Sequence, residues 1–89
     1  AYGSLTGSGV GVAVIDTNFD LLHPELGGST TLPNSVVKGG YNYSTPGAAI
    51  HSRTWNDCYH GTGTASIVRR YAPACHLYTL VVFPNAYDS

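Results

Sequence analysis

The chain carries few side chains able to do chemistry, and two of them stand where one would place a reactive pair. Asp16 ends the apolar run Val10–Asp16, VGVAVID, and His60 opens the segment HGTGTASIVRRYA. A carboxylate beside an imidazole fixes the ring's tautomer and leaves the other ring nitrogen free to accept a proton. Such a pair needs a nucleophile. Ser66 is the tempting one, but it lies six positions beyond His60 on the same expected helix. At 1.5 Å per residue that is about 9 Å along the axis, whereas a base reaches its nucleophile within about 3 Å. Ser66 is therefore expected to be an ordinary helix residue.

The elements that must position this pair follow from the pattern. Val10, Val12, Val14 and Ile15 favour a strand, and their near-continuous hydrophobicity predicts burial on both faces, as in a parallel sheet. Asp16 then falls at the strand's carboxyl end, where open α/β sheets gather their chemistry. Gly7, Gly9 and Gly11 precede and enter the strand rather than follow it, which argues against a dinucleotide loop and a nucleotide-binding domain. The long stretch Gly27–Tyr59 reads as loop, with short strands at Val36–Lys38 and Tyr41–Tyr43 on either side of Gly39-Gly40. Loops of that length are uncommon unless they serve a site.

His60–Ala72 is expected to be a helix, with Thr62 or Thr64 capping its first turn. Ala65, Val68 and Ala72 form its apolar face, Arg69 and Arg70 sit in its last turn, and Pro73 follows its end. Leu77–Phe83 reads as a second apolar strand and Pro84–Ser89 as a polar tail. A helix feeding a strand after a first strand is most simply a crossover with the two strands parallel. The expected class is α/β with a mainly parallel sheet that one helix cannot cover on both faces.

Composition narrows the function. Of 89 residues, 43% are hydrophobic and only 10% charged, so much of the surface is expected to be covered by something else. A net charge of -1 without a basic run argues against nucleic acid or an anionic membrane as partner. No apolar segment approaches the ~20 residues of a membrane span. The absence of Met and of a signal-like start suggests a processed N-terminus.

His23, His51 and His76 make no metal-ligand spacing, and no cofactor is expected. His23 and His76 are expected to be packed or hydrogen-bonded and His51 solvated. Asp57 reads either as shaping a loop beside the site or as capping that loop, and Cys58 as a free or structural thiol. Cys58 and Cys75 flank opposite ends of an expected helix of about 11 residues, about 16 Å long, which excludes a bridge that needs Cα atoms within about 7 Å. Trp55 and the tyrosines line either a cleft or packed loops.

Three segments, in order, resemble a known family. GVGVAVIDTNFDLLHPEL is similar to the aspartate segment of the subtilisin-like serine proteases (subtilases). HGTGTASIV is similar to their histidine segment, and YAPACHLYTLVVF to the strand entry that follows it. VKGGYNYS resembles the glycine-containing strand between them. The resemblance covers nearly the whole chain. It implies residues 1–89 as the N-terminal part of one catalytic domain, with a three-layer subtilisin-like fold. It implies peptide-bond hydrolysis with Asp16 as the triad aspartate and His60 as general base. It also implies protein or peptide substrates and a secreted or extracellular location.

The chain departs from the family in several places. The nucleophile segment Gly-Thr-Ser-x-x-x-Pro and an oxyanion-hole asparagine segment are missing, so the serine is expected on a companion chain or the remainder of the domain. Gly63-Thr64-Ala65-Ser66 replaces the usual His-Val-Ala-Gly, and Asn18 replaces a glycine. Glu25 stands where the family often has a carboxylate, sometimes part of a calcium site. The insertion that completes that site is missing, so Glu25 is expected to be a plain surface carboxylate. The rival expectation is a catalytically inactive subtilase-like scaffold that binds peptides or protein partners.

Overall fold

The computed structural model describes residues 7–88. Three strands, β1 (Gly11–Asp16), β2 (Val37–Asn42) and β3 (His76–Val81), form one sheet in the order β1-β3-β2, all parallel. One helix, α1 (Trp55–Tyr71), crosses between β2 and β3. Short 3-10 turns occupy Pro24–Leu26 and Ala86–Asp88. The fold is mixed α/β, with a sheet and a helix as two layers.

The register explains the core. Val12, Val14 and Asp16 of β1 stand beside Leu77, Thr79 and Val81 of β3, and Val37 and Asn42 of β2 stand beside Leu77 and Val81. Side chains alternate across a strand, so these residues share the face under α1. Leu77, Val37, Val81 and Ala65 are fully buried there, with Val68 and Ala72 packed against them. Phe19, Leu21 and Leu26 close the same core from the segment after β1. Full burial of each large aliphatic or aromatic side chain contributes roughly 1.5–3 kcal/mol.

The described residues leave the opposite face bare. Ala13, Ile15, Tyr41, Tyr78 and Leu80 share it by register, and Ile15 is 60% exposed. Burial on both faces of β1 is therefore not observed among the described residues: the single helix covers one side only, and a sheet this apolar is ordinarily covered on both.

Several boundaries differ from expectation, each for a physical reason. α1 starts at Trp55, not His60, so Thr62 and Thr64 lie inside the helix and cap nothing. Its first turn is exposed and lacks apolar periodicity. It is held by Thr54 carbonyl bonds to the Asp57 and Cys58 N–H groups, and Asp57 complements the positive end of the helix dipole. Asp57 is thus a helix residue rather than a loop residue.

The glycines at 39 and 40 do not separate two strands. They lie within β2, which carries an irregularity between Val37 and Gly39. A Cβ on Gly40 would strike the Thr79 carbonyl of β3, and one on Gly39 would meet the Tyr78 ring at 3.6 Å. Gly40 provides close approach rather than a turn, while the contact at Gly39 is an ordinary one. β3 begins one residue earlier and ends two residues sooner than the apolar run Leu77–Phe83. The polar tail is partly ordered by the 3-10 turn, whose Tyr87 hydroxyl donates to Asn56 Oδ1 at 3.5 Å. No helix among the described residues is long and apolar enough to cross a membrane.

Candidate active site

Asp16 is the last residue of β1 and His60 lies in the second turn of α1. The fold brings them together although 44 positions separate them, and His60 Nδ1 lies 2.8 Å from Asp16 Oδ1 and 3.0 Å from Oδ2. The Asp16 side chain is 9% exposed and well satisfied. Oδ1 also accepts the Thr17 N–H at 2.7 Å. The Thr64 hydroxyl lies 3.2 Å from Oδ2 and 2.9 Å from the His60 carbonyl oxygen, two acceptors sharing one proton. The main-chain oxygen of Asp16 takes the Val82 N–H at 2.9 Å, which ties the strand end to β3.

The imidazole faces the other way. Its side chain is 52% exposed, and Nε2 has no hydrogen-bond partner among the described residues. With the carboxylate at Nδ1, the neutral ring carries its proton on that nitrogen and offers Nε2 as an acceptor toward solvent. A buried acid, an oriented ring and a free basic nitrogen at the carboxyl edge of a parallel sheet can accept a proton from a hydroxyl placed against Nε2 and return it to a leaving group.

Local sequence sets this geometry. A Cβ on Gly61 would come within 2.5 Å of the Asn18 carbonyl oxygen and 3.0 Å of that of Thr17. Only glycine lets α1 lie so close to the chain leaving β1. The Gly61 N–H donates to Thr17 Oγ1 at 2.9 Å. Thr62 Oγ1 accepts the Asp20 N–H at 2.8 Å, a second tie between the same two segments. Asn18 Nδ2 donates to the carbonyls of Ile50 and Ala49, drawing the long loop against the strand end.

Thr17, Thr64 and Asn18 were not singled out by sequence as members of the site. Thr64 was legible in principle: it lies four residues after His60, on the same helix face one turn on. The ties that Thr17 and Thr62 make across the site carry no such signal, because the Gly61 and Asp20 N–H groups they accept are more than forty positions away.

The remaining candidates fall elsewhere. Ser66 donates to the Thr62 carbonyl at 2.7 Å and stays a helix residue. His23 Nδ1 accepts the Glu25 N–H and caps the turn Pro24–Leu26. Glu25 is a surface carboxylate 3.9 Å from Arg70 Nε. His51 is not solvated as expected: Nδ1 accepts the Leu21 N–H at 3.1 Å, because its backbone pairs with Phe19 and draws the ring over that segment. His76 departs in the opposite sense. Its side chain is exposed, since its register on β3 puts it on the bare face, and its backbone N–H donates to the Val10 carbonyl at 2.8 Å.

Cys58 and Cys75 are both free and buried, Cys58 inside α1 rather than ahead of it. Among the described residues no group of three or more His, Cys, Asp or Glu side chains is arranged to hold a metal ion. Comparison with protein-family models, curated proteins and solved structures returned no match, so a function must be argued from the arrangement around Asp16 and His60.

Proposed function

We propose that this chain supplies the acid and the general base of a serine endopeptidase centre, and that the nucleophilic serine comes from a companion chain or another part of the protein. The observation that supports it best is the contact of His60 Nδ1 with the buried Asp16 carboxylate, with Nε2 left free. In the proposed reaction the serine Oγ attacks a peptide carbonyl while His60 Nε2 takes its proton. The imidazolium that forms is stabilised by Asp16, and the same proton passes to the leaving amine. Water then repeats the sequence on the acyl-enzyme. The likeness of the segments around Asp16 and His60 to those of the subtilases agrees with this chemistry.

The bare sheet face fits the same proposal. Ala13, Ile15, Tyr78 and Leu80 would be covered by further elements of a three-layer subtilisin-like domain, contributed by the part that carries the serine. A secreted location, protein or peptide substrates and the absence of any cofactor belong to the same proposal. The test is labelling of the assembled protein with a fluorophosphonate probe. A phosphonylated serine outside this chain supports the peptidase. No labelled serine in a folded assembly supports an inactive scaffold that binds peptides.

A further inference from the structure

We propose that Thr64 is a positioning residue: its hydroxyl donates to Asp16 Oδ2 and fixes the rotation of the carboxylate that holds His60. This rests on the general-base role proposed for His60 and adds the group that keeps its partner in place.

Asp16 presents both oxygens to one ring nitrogen, at 2.8 and 3.0 Å from His60 Nδ1. A single Nδ1–H cannot fully satisfy both. The two oxygens differ in what else they receive. Oδ1 takes the Thr17 N–H at 2.7 Å, a main-chain donor at the strand end. Oδ2 lies 3.2 Å from the Thr64 hydroxyl and has no further donor among the described residues. The Asp16 side chain is only 9% exposed, and a buried carboxylate oxygen without a donor is costly.

The hydroxyl has a second acceptor within reach, the His60 carbonyl oxygen at 2.9 Å. Threonine inside a helix often bonds back to the carbonyl four residues earlier. That carbonyl, however, already faces the Thr64 N–H, its regular partner in an α-helix. A proton given to the carbonyl is redundant there. Given to Oδ2 it completes a buried anion, and a charged acceptor forms the stronger hydrogen bond.

The consequence is a carboxylate fixed at both corners, by Thr17 at the end of β1 and by Thr64 from α1. The last torsion of an aspartate is intrinsically broad, so its plane must be set by such partners. Thr64 stands one turn after His60 on the same helix, so the imidazole and the donor that sets its carboxylate share one rigid element.

The test uses the assembled protein, with Thr64→Val to remove the hydroxyl at similar size and Thr64→Ser to restore it. Two quantities are read: the nitrogen-15 NMR shifts of the His60 imidazole and the rate of fluorophosphonate labelling. In Thr64→Val the ring shifts should move from the Nδ1-protonated form toward a mixture of tautomers. Labelling should slow about 3- to 10-fold. Thr64→Ser should restore both. Lost helix stability alone would leave the tautomer of the folded protein unchanged, so the ring spectrum separates positioning from a structural role. Thr64→Ala, which raises helix propensity and puts no methyl beside the carboxylate, decides the question if the valine variant does not assemble.

Unchanged ring shifts and labelling rate without the hydroxyl would overturn the role of Thr64 and leave the peptidase standing. A shifted tautomer in a folded assembly that the fluorophosphonate labels nowhere would support the positioning of His60 and overturn the peptidase.

Discussion

Thr17 Oγ1 accepts the backbone N–H of Gly61 at 2.9 Å, and these two residues directly follow Asp16 and His60 in the chain. The Asp16–His60 pair is thus held by a backbone clamp one residue further on, not by its own hydrogen bond alone. The missing Cβ of Gly61 makes the clamp possible. Gly61→Ala is expected to cost roughly 1–3 kcal/mol, from overpacking against the Thr17 and Asn18 carbonyls. Gly63→Ala, where a Cβ meets open space, should gain about 0.5–1 kcal/mol from helix propensity. Urea denaturation of the two variants, each in the assembled protein, checks the order. A neutral Gly61→Ala would show that the close approach is not required.

The tautomer of His60 follows from its neighbours. With Asp16 at Nδ1, the neutral ring should carry its proton there and present Nε2 as a bare acceptor. Nitrogen-15 NMR of the labelled imidazole distinguishes the two forms. In Asp16→Asn the carboxamide can donate to Nδ1, and the proton should move to Nε2. Such a swap costs activity by a factor of about 10⁴ in a triad that works this way. An unchanged tautomer in that variant would remove Asp16 from the orienting role.

The two residues proposed to carry the chemistry were legible because each stands at a marked boundary: the carboxylate that ends an apolar strand and the imidazole beside a glycine. The parallel pairing of β1 and β3 was legible for the same reason, as two apolar runs joined across a helix. What the sequence concealed was everything set by close approach. Gly39 and Gly40 look like a break between strands until Thr79 is seen packed beneath one of them. The first turn of α1 has an exposed, polar and aromatic sequence, so periodicity could not announce it. The position of β2 beyond β3 depends on long-range pairing that no local pattern encodes.

Cys58 gives a pH dependence with a definite sign. Burial, then the carboxylates of Asp20 and Asp57, raise its pKa above the ordinary 9.0, while the Thr62 hydrogen bond and Arg53 act in the opposite direction. The folded chain therefore holds the thiol proton more tightly than the unfolded chain. The stability this contributes is complete below pH 9.0 and is lost as the pH rises through the raised folded value. In the assembled protein, Cys58→Ala should flatten the decline in unfolding free energy above pH 9.0. An equally steep decline in the variant would mean the thiol is not the group responsible.

The bare sheet face predicts how the isolated chain behaves. Ile15, Tyr41 and Tyr78 are exposed on one side of a parallel sheet. The chain alone should run on a sizing column as aggregate or as unfolded polypeptide. Ile15→Lys should raise the fraction of monomer, changing intrinsic stability by no more than about 0.5 kcal/mol, as exposed substitutions usually do. The same change should weaken recovery of any companion that covers this face. A cooperative, well-folded monomer of the unaltered chain would contradict the account of this surface.

The most direct test is to treat the protein, as isolated from its natural source with any companion, with a fluorophosphonate and map the modified residue by mass spectrometry. The account predicts one phosphonylated serine outside residues 1–89, and loss of its labelling in His60→Ala and Asp16→Asn. Labelling that persists in both variants, or a folded assembly in which no serine reacts, would contradict it.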